Sequence, residues 1–146
     1  MGWKSPTGGS GEGWLDVPNA YDDNTGTYAT EPVTGGGLVG APLELTVEPV
    51  LCDKIRANLF YQPWCFLVLI EVYYEGAYHT VHSGIFSSGW NTYDVISGSP
   101  KKSKVVSKMR MAFTHYVIAG QTLVFEADFH TVMPRMMKYY RSRRAG

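Results

Sequence analysis

The chain has 146 residues, a length that suits one domain with a core of its own. Hydrophobic residues make up 45% and charged residues 18%, which excludes a disordered composition, and the longest apolar run, near CFLVLI, is far too short for a membrane-spanning helix. Thirteen basic and thirteen acidic side chains cancel, which argues against a domain built to grip a nucleic-acid duplex.

In chain order, residues 1–13 (MGWKSPTGGSGEG) read as a flexible Gly/Ser segment, and they lack the apolar core of a signal peptide, so export by the general pathway is not expected. NAYDDNTGTYAT, Asn19 to Thr30, crowds carboxylates, an amide and hydroxyls around Gly26. TGGGLVG lacks the Lys and the strand-to-helix context of a phosphate loop and reads as a loop between strands. LELTVEPV alternates, with Leu43, Leu45 and Val47 on one face; KIRANLF does the same with Ile55, Ala57 and Leu59. FLVLIEVYYEG followed by AYHTVHSGIF predicts a hairpin over Val68–Phe86 that turns at Glu75-Gly76. NTYDVIS is a short or edge strand and SGSPKK a turn. KVVSKMRMAF directs Val105, Met109, Met111 and Phe113 inward. QTLVFEADFH directs Leu123, Phe125, Ala127 and Phe129 inward, with Glu126, Asp128 and His130 outward.

Seven or eight such strands, with no strong helical period before residue 133, predict an all-β antiparallel sandwich of jelly-roll type over 14–132. Residues 133–146 differ. Met133, Met136, Met137 and Tyr140 fall on one helical stripe, and Arg135, Lys138, Arg141, Arg143 and Arg144 make the segment basic against a mildly acidic body. A frayed basic end and a docked helix are both open readings. As a docked element, Arg135, Met136, Lys138, Tyr140, Arg141, Arg143 and Arg144 would meet an acidic partner surface.

The chemistry is fainter. Asp22 and Asp23 are neighbours and point opposite ways on an extended chain, unlike the facing carboxylates of a glycosidase. His79 and His82 fall on opposite faces of a strand. No CxxC or paired Cys/His spacing suggests zinc; Cys52 and Cys65, in neighbouring strands, are either free thiols or a bridge. Trp90, Tyr93 and Trp64, on or near loops, are the candidates for stacking on a sugar; the plainer reading makes them plugs of the sandwich ends. In NAYDDNTGTYAT the residue types suit either a calcium loop or an Asx-type turn in which side chains bond their own backbone.

Several of these pieces resemble, in order, the galactose-binding-like β-sandwich that includes discoidin and coagulation-factor C-type domains. Ala20, Asp22, Asn24, Thr27 and Tyr28 match its first motif, with Asp23 standing where that family has Gly. LELTVEPVLCDKIRANLF, VLIEVYYEGAYHTVHSG, SKVVSKMRMAF (Arg110 at the family's Arg) and LVFEADF (Glu126 at its Glu) follow. The resemblance implies a structural calcium ion on Asp22, Asn24, Thr27 and Glu126, and no other cofactor. GW…NAYDDNTGTYAT, CDKIR, VYYEGAYH and VSKMRM are also similar to small accessory virion proteins of tailed bacteriophages. That likeness implies a non-enzymatic structural protein, located in the virion, that docks on capsid, portal or tail proteins or on its own copies, with no membrane or specific nucleic-acid partner. The alternative is a carbohydrate-binding module that recognises cell-surface glycans.

Overall fold

The computed structural model describes residues 2–32, 38–99, 102–116 and 121–132. The basic segment with Arg135, Met136, Lys138, Tyr140, Arg141, Arg143 and Arg144 lies outside the described residues, as do most of TGGGLVG and two residues of SGSPKK.

The strands are β1 (Gly2–Lys4), β2 (Gly8–Ser10), β3 (Ala29–Pro32), β4 (Leu38–Val39), β5 (Leu43–Leu59), β6 (Leu67–Tyr74), β7 (Ala77–Ile85), β8 (Gly89–Asp94), β9 (Lys104–His115) and β10 (Gln121–Thr131), with a 3-10 turn at Val17–Tyr21. All the pairings between them are antiparallel. The first part of β5 pairs with β2 and β9, and β9 continues the layer through β6 to β7, with β4 on its end. The second part of β5 pairs with β10 and β8, and β10 carries β1 and β3. The chain is therefore an all-β antiparallel sandwich whose two layers share one strand. Between them Leu43, Leu45, Ile55, Ile70, Met109, Met111, Phe113 and Phe129 are fully buried.

LELTVEPV and KIRANLF are thus not two strands but one. Pro49, which has no N–H for a ladder, sits in the irregular stretch between Thr46 and Val50, where a proline is tolerated. Across that irregularity the inward face of β9 changes as well, so Val106 is buried and the expected Val105 is 58% exposed. β10 carries a bulge of its own. Val124 pairs with Leu59 and Glu126 with Asn58, leaving Phe125 as the extra residue. The bulge flips the alternation: Thr122 and Val124 face inward before it, Ala127 and Phe129 after it, and Leu123 and Phe125 are only half-buried.

Within residues 2–13, read from sequence as a flexible segment, two short strands form. Gly2–Lys4 pairs with Thr131–Phe129 and Gly8–Ser10 with Thr46–Glu44. Glycine composition signals no strand face, but here the missing side chain is what lets the backbone approach: a Cβ on Gly9 would collide with Leu45, Val17 and Tyr21.

The β6–β7 hairpin has the predicted turn. Glu75 and Gly76 both have positive φ, 53° and 82°, the signature of a type I′ turn whose twist matches the strands. Replacing Gly76 with Val forces a β-branched residue into the left-handed region. We expect a loss of about 1–2 kcal/mol in urea unfolding; an unchanged midpoint would mean that the turn does not hold these angles.

Candidate functional site

The outer face of the β8–β5–β10–β1 layer can be read as rows, since residues paired across strands share a face. One row runs Thr92–Arg56–Asp128, a second Trp90–Asn58–Glu126, and a third Asp94–Lys54–His130–Trp3. Arg56 holds the centre. Its Nε and Nη2 both lie 2.9 Å from Asp128 Oδ2. Its guanidinium lies 4.2 Å from the Trp3 ring and 4.0 Å from the Trp90 ring. Trp3 also meets His130 edge-on, and His130 Nδ1 is 2.7 Å from Asp53 Oδ1.

Beside this lies the loop singled out in the sequence. Asp22 Oδ1 accepts the Asn24 N–H at 3.0 Å, Asp22 Oδ2 accepts the Thr27 hydroxyl at 2.5 Å, and Asn24 Oδ1 accepts the Gly26 N–H at 2.8 Å. The oxygens of Asp22 and Asn24 are therefore engaged in an Asx-type turn. The loop closes on β10 through the Asn24 N–H, which donates to Glu126 Oε2 at 3.2 Å. The carboxylates that converge are those of Asp23, Glu126 and Asp128, with ligand atoms within 4.8 Å of one another. Ser5 donates to Asp23 Oδ1 at 2.5 Å and lies 3.5 Å from Asp128 Oδ1. Glu126 and Asp128 point away from the core, as expected, but the loop and residues 3–5 cover them, and Glu126 is only 2% exposed. Glu126 Oε1 is buried with no hydrogen-bond partner. Burial, then the neighbouring Asp128 charge, pushes the Glu126 carboxyl up to about 7. Asp128 is also raised, because burial outweighs its bonds to Arg56.

The aromatics named from sequence fall in three separate places. Trp90 grips Arg56 on the sheet face. Tyr93 is half-buried and stacks on His82 with centroids 4.3 Å apart. Trp64 packs against the core, and its carbonyl accepts the Tyr116 N–H at 2.9 Å. Cys52 and Cys65 are free and buried; burial pushes the Cys52 thiol up to about 12 and raises Cys65.

A second aromatic group was missed. At the end of the sandwich where β5, β7 and β9 finish, Phe66 stacks on Tyr116 at 5.2 Å and 14°, and Tyr61 leans on Phe66 at 5.8 Å. Tyr61 and Tyr116 are each 46% exposed, and Phe60 beside them 45%. A tight turn holds the loop: Gln62 and Cys65 exchange backbone bonds of 3.1 and 3.0 Å. The Tyr61 N–H donates to Ser88 Oγ, and Asn91 braces the 86–89 connection through Ser87 and Gly89. The signal was present in FYQPWCF, four aromatics within seven residues around a proline, but Tyr116 joins them only through the fold. Two shallow hollows elsewhere, one of about 430 Å³ by Glu12 and Pro42 and one of about 260 Å³ by Leu67 and Ala112, have no aromatic walls.

No protein-family model matches the chain, and no curated protein does. Solved structures do. The chain is similar to the CBM32 of AlyQ in complex with 4,5-unsaturated mannuronic acid, with a TM-score of 0.64, 10% identity, and coverage of 88% of this chain and 98% of that one. It is similar to a CBM32 module produced by Clostridium perfringens in complex with GlcNAc-α-1,4-galactose, with a TM-score of 0.66, 16% identity, and coverage of 88% and 94%. A chitosan-binding module from a Paenibacillus chitosanase/glucanase gives a TM-score of 0.58, 12% identity, and coverage of 87% and 90%. The fold is that of the CBM32 sandwiches. The galactose-binding-like architecture anticipated from residue order is thereby shown; the phage likeness has no counterpart among these neighbours.

The raised carboxyl of Glu126 sets a pH dependence. A group that ionises near 7 when folded and near 4.5 when unfolded holds a proton that the unfolded chain has released, so stability falls as pH rises from about 4.5 through 7. Without divalent cations, Glu126→Gln is expected to gain thermal stability relative to wild type between about pH 5 and about pH 8. A Tm difference independent of pH would contradict the raised carboxyl.

Proposed function

We propose that the chain is a non-catalytic carbohydrate-binding module and that its ligand stacks on the platform of Tyr61, Phe66 and Tyr116. The observation that carries this is the stacked, half-exposed tyrosine–phenylalanine–tyrosine set at one end of the sandwich. A sugar ring presents C–H groups on one face, which suit an aromatic surface, and hydroxyls at its edge, which suit exposed polar loop groups such as Ser87 and Ser88. Loops 60–66 and 86–88 contain no Asp, Glu or His. A platform without a carboxylate pair can hold a glycan but has no acid and base to cleave it. The named ligands of the structural neighbours, mannuronic acid and GlcNAc-galactose among them, support the class of ligand without choosing one sugar. A role in a virion rests on sequence likeness alone and is the weaker reading.

A glycan array probed with wild type, Tyr116→Ala, Tyr61→Ala and Trp90→Ala tests this. Loss of either tyrosine should weaken binding by about tenfold, some 1.4 kcal/mol, while Trp90→Ala should retain it. The reverse pattern would move the site to the sheet face, and no signal with wild type would remove the proposal.

A structural calcium ion is a second proposal, supported by the convergence of the Asp23, Glu126 and Asp128 carboxylates and by the buried, unpartnered Glu126 Oε1. Three converging carboxylates suit a hard cation. The supporting set differs from the one the resemblance implies: it keeps Glu126 and replaces Asp22, Asn24 and Thr27, which serve the turn, by Asp23 and Asp128. Calcium should raise Tm and a chelator should reverse the rise, with both effects lost in Glu126→Gln. No shift with calcium would defeat the idea.

A further inference from the structure

Beneath the platform lies a buried polar chain that neither stacking nor the calcium cluster uses. His115 Nε2 is 2.7 Å from Thr122 Oγ1, which is 3.3 Å from Cys65 Sγ. On the other side, His115 Nε2 is 3.5 Å from Glu31 Oε1, an atom with no hydrogen-bond partner. All four residues are buried. They come from β9, β10, the 60–66 loop and β3, so the chain crosses from one layer to the other. Two of them adjoin the platform directly: Cys65 precedes Phe66, and His115 precedes Tyr116.

The titratable groups facing one another here are Glu31 from β3, His115 from β9 and Cys65 from the loop. Thr122 and Gln121 from β10, and Gln62 from the loop, are polar but do not ionise. In sequence, the stretches 32–41 and 116–121 that follow Glu31 and His115 contain no titratable side chain except Tyr116, which is exposed. The nearby Ala41 backbone opposes, without cancelling, the upward push of burial on the Glu31 carboxyl. Proton counting gives this chain two states. With Glu31 protonated, the Thr122 hydroxyl donates to an unprotonated His115 Nε2, and the Cys65 thiol donates to Thr122 Oγ1. With Glu31 ionised, a buried carboxylate oxygen needs a donor, and the ring nitrogen it meets among the described residues is His115 Nε2 at 3.5 Å. His115 must then carry its proton on Nε2 and close the 3.5 Å gap, and Thr122 can no longer donate to it.

We propose that this chain is a proton-operated switch: loss of the Glu31 proton changes the His115 tautomer, draws the ring toward Glu31, and through the adjoining Tyr116 and Phe66 resets the aromatic platform. Its consequence for glycan affinity rests on the platform being the binding site; the switch itself does not. Burial works in the same direction, pushing Glu31 up to about 7 and lowering His115, so both groups favour their neutral forms and the change falls at neutral pH.

The test records the imidazole nitrogen shifts of His115 and the ring proton shifts of Tyr116 by NMR across neutral pH. Wild type should show an Nδ1–H to Nε2–H change and a Tyr116 shift with one common midpoint near 7; Glu31→Gln should show neither. A wild-type His115 that keeps one tautomer, or a Tyr116 signal that ignores it, overturns the switch even if the variant fails to fold. In parallel, GlcNAc-α-1,4-galactose serves as the probe, and its affinity should change by about fivefold across the transition. Coupled NMR transitions with no probe binding at any pH would leave the switch standing and count against the platform reading. Binding that is unchanged by pH while the rings move would overturn the claim that the switch resets the platform.

Discussion

The two layers of this protein are held in register by one backbone. A strand has two edges and no more, and β5 uses both over Glu44–Thr46, with β2 and β9, and again over Lys54–Leu59, with β10 and β8. Because one strand belongs to both layers, the layers cannot slide past each other without breaking its ladder. The passage from one layer to the other falls at Cys52, which pairs with both Lys104 and Thr131, and the extra residue Asp53 beside it makes a bulge that bends the strand. The positions of Arg56 on one outer face, and of Phe60 and Tyr61 at one end, follow from where β5 runs after that bend.

The sheet face around Arg56 and the platform at the end of the sandwich illustrate two uses of aromatic side chains. Trp3 and Trp90 sit on either side of a guanidinium already fixed by Asp128, and they fasten the first strand and β8 to the sheet. Their ring faces are used within the protein. Tyr61, Phe66 and Tyr116 also stack on one another, but nearly half of each tyrosine remains open to solvent, beside loops 60–66 and 86–88, which contain no Asp, Glu or His. That contrast separates an intramolecular clasp from the platform proposed as the ligand surface.

Both buried glutamates are left with an oxygen unsatisfied, Glu31 beneath the platform and Glu126 under the acidic loop. A carboxylate in that condition is expensive, and a protein can relieve it with a proton, a cation or a donor that moves. Glu126, facing two further carboxylates, suits a cation. Glu31, facing a histidine, suits a proton. The same residue type thus supports different chemistry because the partners that the fold brings to it differ.

Much of this architecture was legible in the residues. The alternation in KIRANLF and the positive-φ turn at Glu75-Gly76 are local properties, and the order of NAYDDNTGTYAT, KIR, KMRM and FEADF was enough to suggest a galactose-binding-like sandwich. Strand count was misread where the backbone stayed continuous through Pro49, and face was misread at Val105, Leu123 and Phe125, because a bulge changes phase without any mark in composition. The pairing of Gly2–Lys4 and Gly8–Ser10 was hidden because glycine carries no side chain to show a face. By itself, then, the sequence determined the all-β class, the hairpin and the turn-forming chemistry of the Asp22 loop, all of which depend on neighbours within a few residues. Only the tertiary structure decided that Asp23, Glu126 and Asp128 converge, that Tyr116 joins Tyr61 and Phe66, and that Glu31 meets His115. Those contacts join segments far apart in the chain, and their distances are set by how the strands pair around β5.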